Sequence, residues 1–235
     1  MIILYNIMYV CKFGGTSLGD SNKIRNVITI VKDKLKSNDK LILIFSAIGR
    51  TTDDIINLGN MAKNNLDYNE TVDLLFNKHK KIVNELMITD TNYIINKINF
   101  IFEEIKLLLL GISCLKDFNK KTSDKLLSYG EKLSFLIIGS FIKKDIDKNI
   151  LMIDSSKYIT TDSNFGNANV LIDKTNEKFK KIKTEDFDII VTSGFISMNE
   201  MNDPTTLGRG GGDYTSAIFG SCFEVNNIMV SIFNN

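Results

Sequence analysis

The run LILIF, residues 41–45, sets five apolar residues side by side with no polar alternation. A strand of that kind has to be covered on both faces, which is the condition of a parallel sheet packed between helices. It ends in a small polar turn, SAIGRTTD, before a helical pattern resumes. A matching unit precedes it. The leading apolar stretch MIILYNIMYV, continued by CKF, reads as a first strand that stops at Gly14 and Gly15, and the segment from Asp20 to Leu35 then carries Ile24, Val27, Ile28, Val31 and Leu35 at helical spacing. Two strand-loop-helix units in succession predict an α/β fold with a mainly parallel sheet.

From about Thr52 to Lys148 the chain reads as helix after helix, so a helical block near residues 53–148 is predicted between sheet strands. ILMID at 150–154 resumes the strand pattern, and the polar passage SSKYITTDSNFGNANV after it suggests a loop or hairpin. A helix from Asp173 to Lys183 leads to a strand, FDIIVTSGF, that ends near a glycine. A polar turn with the sole proline, Pro204, follows it, then the glycine-rich stretch TTLGRGGGDYTSA, a helix from about Asp213 to Phe223 and a last strand, IMVSIF.

Composition narrows the function classes. Lys and Arg total 29 against 28 Asp and Glu, so a net charge of +1 gives no long-range reason to expect nucleic acid or an anionic membrane as partner. The longest oily region, from Tyr93 to Ile112, is broken by Lys97, Glu103, Glu104 and Lys106 and reads as a helix of a soluble protein. Cys11, Cys114 and Cys222 are odd in number and lack a CxxC, which predicts reduced thiols and a cytoplasmic setting. His79, the sole histidine, has no partner ligands near it in sequence, and no metal site is predicted.

Three strands end in loops of one type: KFGGTS at 12–17, SAIGRTT at 46–52 and SGF at 193–195. In open α/β sheets ligands bind beyond the carboxyl ends of the strands, so such loops converge. Gly14 and Gly15 leave backbone N–H groups free to approach an anion, with a helix start behind them. KFGGTS is not a Walker A loop, since its lysine precedes the glycines, and GRGGGD departs from GxGxxG because Asp213 stands where the last glycine belongs. Arg209 is a natural fork for a carboxylate, which guanidinium binds through two parallel hydrogen bonds that lysine cannot copy. Asp213 suits the N-cap of the following helix. Glu131, in SYGEKLSFLII, reads from spacing alone as a solvated surface acid.

KFGGTS, FSAIGRTTD, LLSYGEKLS, TDSNFGNANV, SGF and TTLGRGGGDYTSA, in that order, resemble the motifs of aspartate kinases of the amino acid kinase family, from Tyr9 to about Asn227. The resemblance implies a three-layer amino acid kinase-like fold and transfer of the ATP γ-phosphoryl to the side-chain carboxylate of L-aspartate. The product would be 4-phospho-L-aspartate, the first step toward lysine, threonine and methionine. By the same resemblance Lys12 and Asp213 are catalytic, and Gly14, Gly15, Thr16, Ser17 and Ser46 join Lys12 around the phosphates. Thr52, Glu131, Phe195, Arg209, Gly212 and Asp213 form the aspartate site. The implied partners are L-aspartate and ATP, taken as Mg-ATP, with no nucleic acid and no membrane. A homo-oligomer, or association with a complete kinase chain, is compatible with it.

The sequence departs from that family in three places. Gly212 stands where a serine is usual and removes a hydroxyl, and Pro204 replaces the first of three threonines. By the resemblance, residues 1–235 form a single, C-terminally incomplete catalytic domain without a regulatory domain or a full base and ribose pocket. Weak ATP binding by this chain alone is the resulting expectation. A non-catalytic remnant or subunit that keeps the aspartate and phosphate loops is the alternative reading.

Overall fold

The structure, a computed structural model, describes residues 8–35, 39–183, 186–225 and 227–231. Strands β1 (Met8–Phe13), β2 (Lys40–Phe45), β3 (Ile150–Ile153), β5 (Ile189–Ser193) and β8 (Asn227–Ser231) form one sheet in the order β3-β5-β2-β1-β8, every pair parallel. The most apolar strand, β2, is the middle one. Its Leu41, Leu43 and Phe45 point into one core and its Ile42 and Ile44 into the other, as an apolar run without alternation requires.

The first core is closed by α1 (Ser21–Leu35), α2 (Thr51–Lys63), α3 (Asn69–Leu86), α4 (Thr91–Leu115) and α5 (Lys120–Asp145). The long α5 lies against β2 and β5, and α2, α3 and α4 pack around it, so the predicted helical block is one face of the molecule. On the opposite face lie α6 (Ser155–Tyr158), α7 (Ile172–Phe179) and α8 (Gly211–Cys222). Phe179 and Phe219 meet there edge to face at 4.8 Å, and α8 rests on β1, β2 and β8. A small second sheet, β4 (Thr160–Thr161), β6 (Ile196–Asn199) and β7 (Pro204–Thr206), runs in the order β4-β6-β7.

The polar turn expected after SGF is in fact the β6–β7 hairpin, and the passage after β3 holds α6 and β4. The hairpin escapes a hydrophobicity pattern because its inner face is made of hydroxyls. Ser197 and Thr161 lie 2.8 and 2.7 Å from Thr205 Oγ1, oxygen to oxygen, all three buried. Its turn is closed by Asn199, whose side-chain oxygen accepts from the backbone N–H groups of Met201 and Asp203 at 3.0 and 2.8 Å. Pro204 opens an edge strand, where a missing donor breaks no ladder. α7 ends at Phe179 instead of Lys183, because the lysines that follow offer no apolar residue to bury until Ile182, reached by a tighter turn onto Phe179 O. The apolar start at 1–7 and the end of the last predicted strand at 232–233 lie outside the described residues.

Phe13 and Phe45, the final residues of β1 and β2, stack at 5.4 Å and are buried. They form the floor beneath the loops that follow both strands. Phe45→Ala should cost about 3–5 kcal/mol by loss of burial and the cavity left behind. The measurement is the urea unfolding midpoint at an unchanged slope.

Candidate functional site

Because β1, β2 and β5 run the same way, their loops leave one edge of the sheet together, and hydrogen bonds lock them there. Ser46 N donates to Phe13 O at 3.1 Å, Gly49 N to Gly15 O at 3.0 Å, and Gly194 N to Phe45 O at 3.1 Å. Gly15 is where the first two loops touch. A Cβ there would sit 2.6 Å from Gly49 O and 2.9 Å from Ala47 O, both backbone atoms that cannot step aside.

The loops enclose a cleft of ≈340 Å³. Eight of the predicted residues wall it: Lys12, Gly15, Ser46, Thr52, Glu131, Phe195, Arg209 and Gly212. Asp213 reaches it through Lys12, whose Nζ lies 2.9 Å from Asp213 Oδ1. The helix α8 begins with Gly210 as its N-cap, so Asp213 is not the cap; it sits within the first turn, where a carboxylate also favours the helix dipole. Gly14, Thr16 and Ser17 do not line the cleft. They belong to the 3-10 turn Gly15–Leu18 and its start, with Thr16 exposed and Ser17 buried. Gly212 sits against Lys12, since a Cβ there would lie 3.1 Å from Lys12 Cε and 3.6 Å from Ser46 Oγ.

Glu131 is not the solvated acid that its spacing suggests. It projects from the inward face of α5, 2 % exposed, and among the described residues its Oε2 has no hydrogen-bond partner. Burial pushes its pKa up to about 8, against a hydrogen bond from the Ala47 backbone and the charge of Lys12, which both pull it down. A buried, half-satisfied carboxyl facing a cleft is costly for folding and suited to a cationic ligand. The same face of α5 carries Leu127, on the cleft wall, and Ser134, whose hydroxyl donates to Ser46 O at 2.6 Å and steadies the second loop. Arg209 is exposed on the opposite wall, and among the described residues no side chain pairs with its guanidinium.

Phe195 holds a φ of 69°, a left-handed backbone on a non-glycine residue. Its N–H donates to Thr215 Oγ1 at 2.9 Å and its carbonyl accepts from Leu207 N at 3.0 Å, so β5, β7 and α8 are tied through this residue. Ala47, Gly49, Leu127 and Gly208 also line the cleft and were not singled out in the sequence. Leu127 had one signal, its place four residues before Glu131 on the same helix face. His79 lies outside the cleft and is fully buried. Its Nδ1 is 2.8 Å from Leu75 O and its Nε2 is 3.5 Å from Thr51 Oγ1, at the start of α2; burial pushes its pKa down to about 4.

A lysine at a strand end, an exposed guanidinium, a desolvated acid and glycine loops on one edge are groups suited to phosphoryl chemistry on a small charged molecule. A profile of the Amino acid kinase family matches residues 8–230, and the chain belongs to that family. Within it, the similar proteins are aspartokinases. The chain is 28% identical over 225 residues to the bifunctional aspartokinase/homoserine dehydrogenase of Buchnera aphidicola, covering 93% of this chain and 27% of that one. It is 28% identical over 234 residues to Aspartokinase 1, chloroplastic, of Arabidopsis thaliana, covering 95% of this chain and 40% of that one. The crystal structure of E. coli aspartokinase III in complex with aspartate and ADP superposes with a TM-score of 0.84 at 25% identity, over 95% of this chain and 48% of that one. The chain thus spans about half or less of the length of these relatives. Among the described residues no helix is long and apolar enough to cross a membrane.

Glu131 has a folded pKa of about 8, above the ordinary 4.5, so between those values the folded protein keeps a proton that the unfolded chain has released. Stability should therefore fall as pH rises through that window, by at most about 1.4 kcal/mol per pH unit. Glu131→Gln keeps the shape and does not ionise. Urea midpoints measured at about pH 5.5 and about pH 8.5 should converge in the variant relative to the parent.

Proposed function

We propose that this domain transfers the γ-phosphoryl group of ATP to the side-chain carboxylate of L-aspartate, giving 4-phospho-L-aspartate and ADP, the first step toward lysine, threonine and methionine. One observation carries the reading. Among the described residues, a guanidinium with no side-chain partner and a buried carboxyl with an unused oxygen face one small cleft beside a lysine. An amino acid presents the complementary pair of charges, a carboxylate for Arg209 and an ammonium for Glu131. The relatives named for aspartokinase activity, and the similar structure described as holding aspartate and ADP, support the choice of substrates.

The chemistry asks little covalent work of the protein. The side-chain carboxylate of aspartate is already ionised at neutral pH, with an ordinary pKa of about 3.9, so no general base has to activate it. One of its oxygens forms a bond to the γ-phosphorus as the bond to the bridging oxygen of ADP breaks, and ADP leaves with that electron pair. What remains is to hold two anions together and to stabilise charge in flight. Lys12, fixed by Asp213 at 2.9 Å, supplies the positive charge at the end of β1. Gly15, Ser46 and Gly212, which wall the cleft beside Lys12, bound the phosphates. Thr52 and Phe195 bound the aspartate, and Gly212 lets its backbone approach without a side chain. Magnesium, when carried in with ATP, would neutralise phosphate charge.

Glu131 has to give up its proton before it can pair with an ammonium group, so aspartate should displace one as it binds. Calorimetry in buffers of different ionisation heat reads that release directly. The assignment of the fork is tested by Arg209→Lys. Losing one of two parallel charged hydrogen bonds costs roughly 1.5–3 kcal/mol, which is about tenfold to a hundredfold in aspartate affinity. Unchanged affinity for aspartate in that variant would remove Arg209 from the site. Lys12→Met should leave aspartate bound and abolish the transfer.

A further inference from the structure

Arg209 has no side-chain partner of its own among the described residues, so its position depends on the backbone that carries it. That backbone is the exit of β7, and it is held from across the molecule. Asp124, 1 % exposed on α5, accepts the Thr206 backbone N–H on Oδ2 at 3.0 Å and the Thr206 hydroxyl on Oδ1 at 2.8 Å. Its Oδ2 also takes the Gly166 N–H at 2.8 Å. Thr206 in turn accepts from Ala168 N through its carbonyl at 2.9 Å, so one carboxylate closes a ring of α5, the 162–170 loop and β7. Burial pushes the Asp124 pKa up, opposed by these three hydrogen bonds.

Asp124 stands seven residues before Glu131, two turns of the same helix, and both face inward. A second cavity of ≈370 Å³ adjoins the cleft, with Asp124 and Thr206 on its wall and Leu127, Phe195, Gly208 and Arg209 shared between the two. The stripe Asp124, Leu127, Glu131, Ser134 on α5 therefore touches the arginine loop, the cleft wall, the cleft itself and the Ser46 loop in turn. We infer that Asp124 is a positioning residue for substrate recognition: by fixing Thr206 it sets the distance between Arg209 and Glu131, and with it the length of zwitterion the cleft accepts. This inference rests on the reading of Arg209 as the substrate fork.

The discriminating feature is geometry at the carboxyl. In Asp124→Asn the amide oxygen can still accept the two backbone N–H groups while its NH₂ donates to Thr206 Oγ1, so the ring closes without charge. Asp124→Ala opens it entirely, and Thr206→Val deletes only the hydroxyl bond. Titration calorimetry with L-aspartate should show a loss of about tenfold or more for Asp124→Ala. Thr206→Val should lose about threefold, and Asp124→Asn should return to within about threefold of the parent. ADP affinity should move by less than about twofold in all three. Parent-like aspartate binding by Asp124→Ala would overturn the inference, as would equal losses for aspartate and ADP, or an Asp124→Asn as poor as the alanine. If Asp124→Ala does not fold, the other two variants decide by the same criteria. Hydrogen exchange of the unliganded proteins separates this from the proposed function. Opening of the ring should accelerate exchange across residues 206–210 in Asp124→Ala and Thr206→Val but not in Asp124→Asn. Unaltered exchange there overturns the positioning role. A parent protein that fails to bind aspartate, with exchange accelerated as described, overturns the substrate reading and leaves the loop assignment supported.

Discussion

Parallel pairing of β1, β2 and β5 forces their carboxyl ends to one edge, and the backbone groups just past that edge have lost their ladder partners. They find replacements in one another. Three loop-to-strand and loop-to-loop hydrogen bonds, made by Ser46, Gly49 and Gly194, replace the missing rungs and draw three distant parts of the chain into contact. The cleft is the space those bonds leave. Lys12 belongs to it because it is the last outward residue of a strand whose neighbours Cys11 and Phe13 face the opposite core. The site is therefore a by-product of the sheet in its location and a product of particular side chains only in its chemistry.

Those side chains come from both layers that cover the sheet. The helix α5 brings the acid, and α8 with the loop before it brings the arginine and the aspartate that steadies Lys12. The acid and the arginine come from different layers, and each is held by its own. Packing of the two layers on the sheet therefore sets where these groups stand, and the stacked Phe13 and Phe45 beneath the loops contribute to it from below.

Much of this was legible in the sequence, for physical reasons that can be named. Unalternating apolar residues at 41–45 announce a strand buried on both faces, and glycines after it announce a loop packed too tightly for side chains. The strand ends and their loops follow from local pattern alone. Glu131 does not, because α5 is amphipathic in an unusual sense: its inward face mixes acids and hydroxyls, Asp124, Ser128, Glu131 and Ser134, with leucine and isoleucine. No periodicity distinguishes an acid facing a cleft from one facing water. The β6–β7 hairpin was hidden likewise, since Ser197, Thr205 and Thr161 bury hydroxyls that satisfy one another. Asp124 was invisible because its three partners are donors 42 and 82 residues away. Tertiary hydrogen bonds of that range leave no trace in spacing.

Phe195 points to one further consequence. It follows Gly194, a residue that adopts left-handed backbone freely, yet the left-handed φ of 69° falls on the phenylalanine. Holding it there costs of order 1–3 kcal/mol. Exchanging the order of the two residues would trade that strain for crowding, since a Cβ at position 194 would lie 3.1 Å from Gly212 Cα and 3.2 Å from Ile44 Cγ2. The tight approach of the backbones at 194 and 212 thus leaves position 195 as the place from which an aromatic ring can line the cleft.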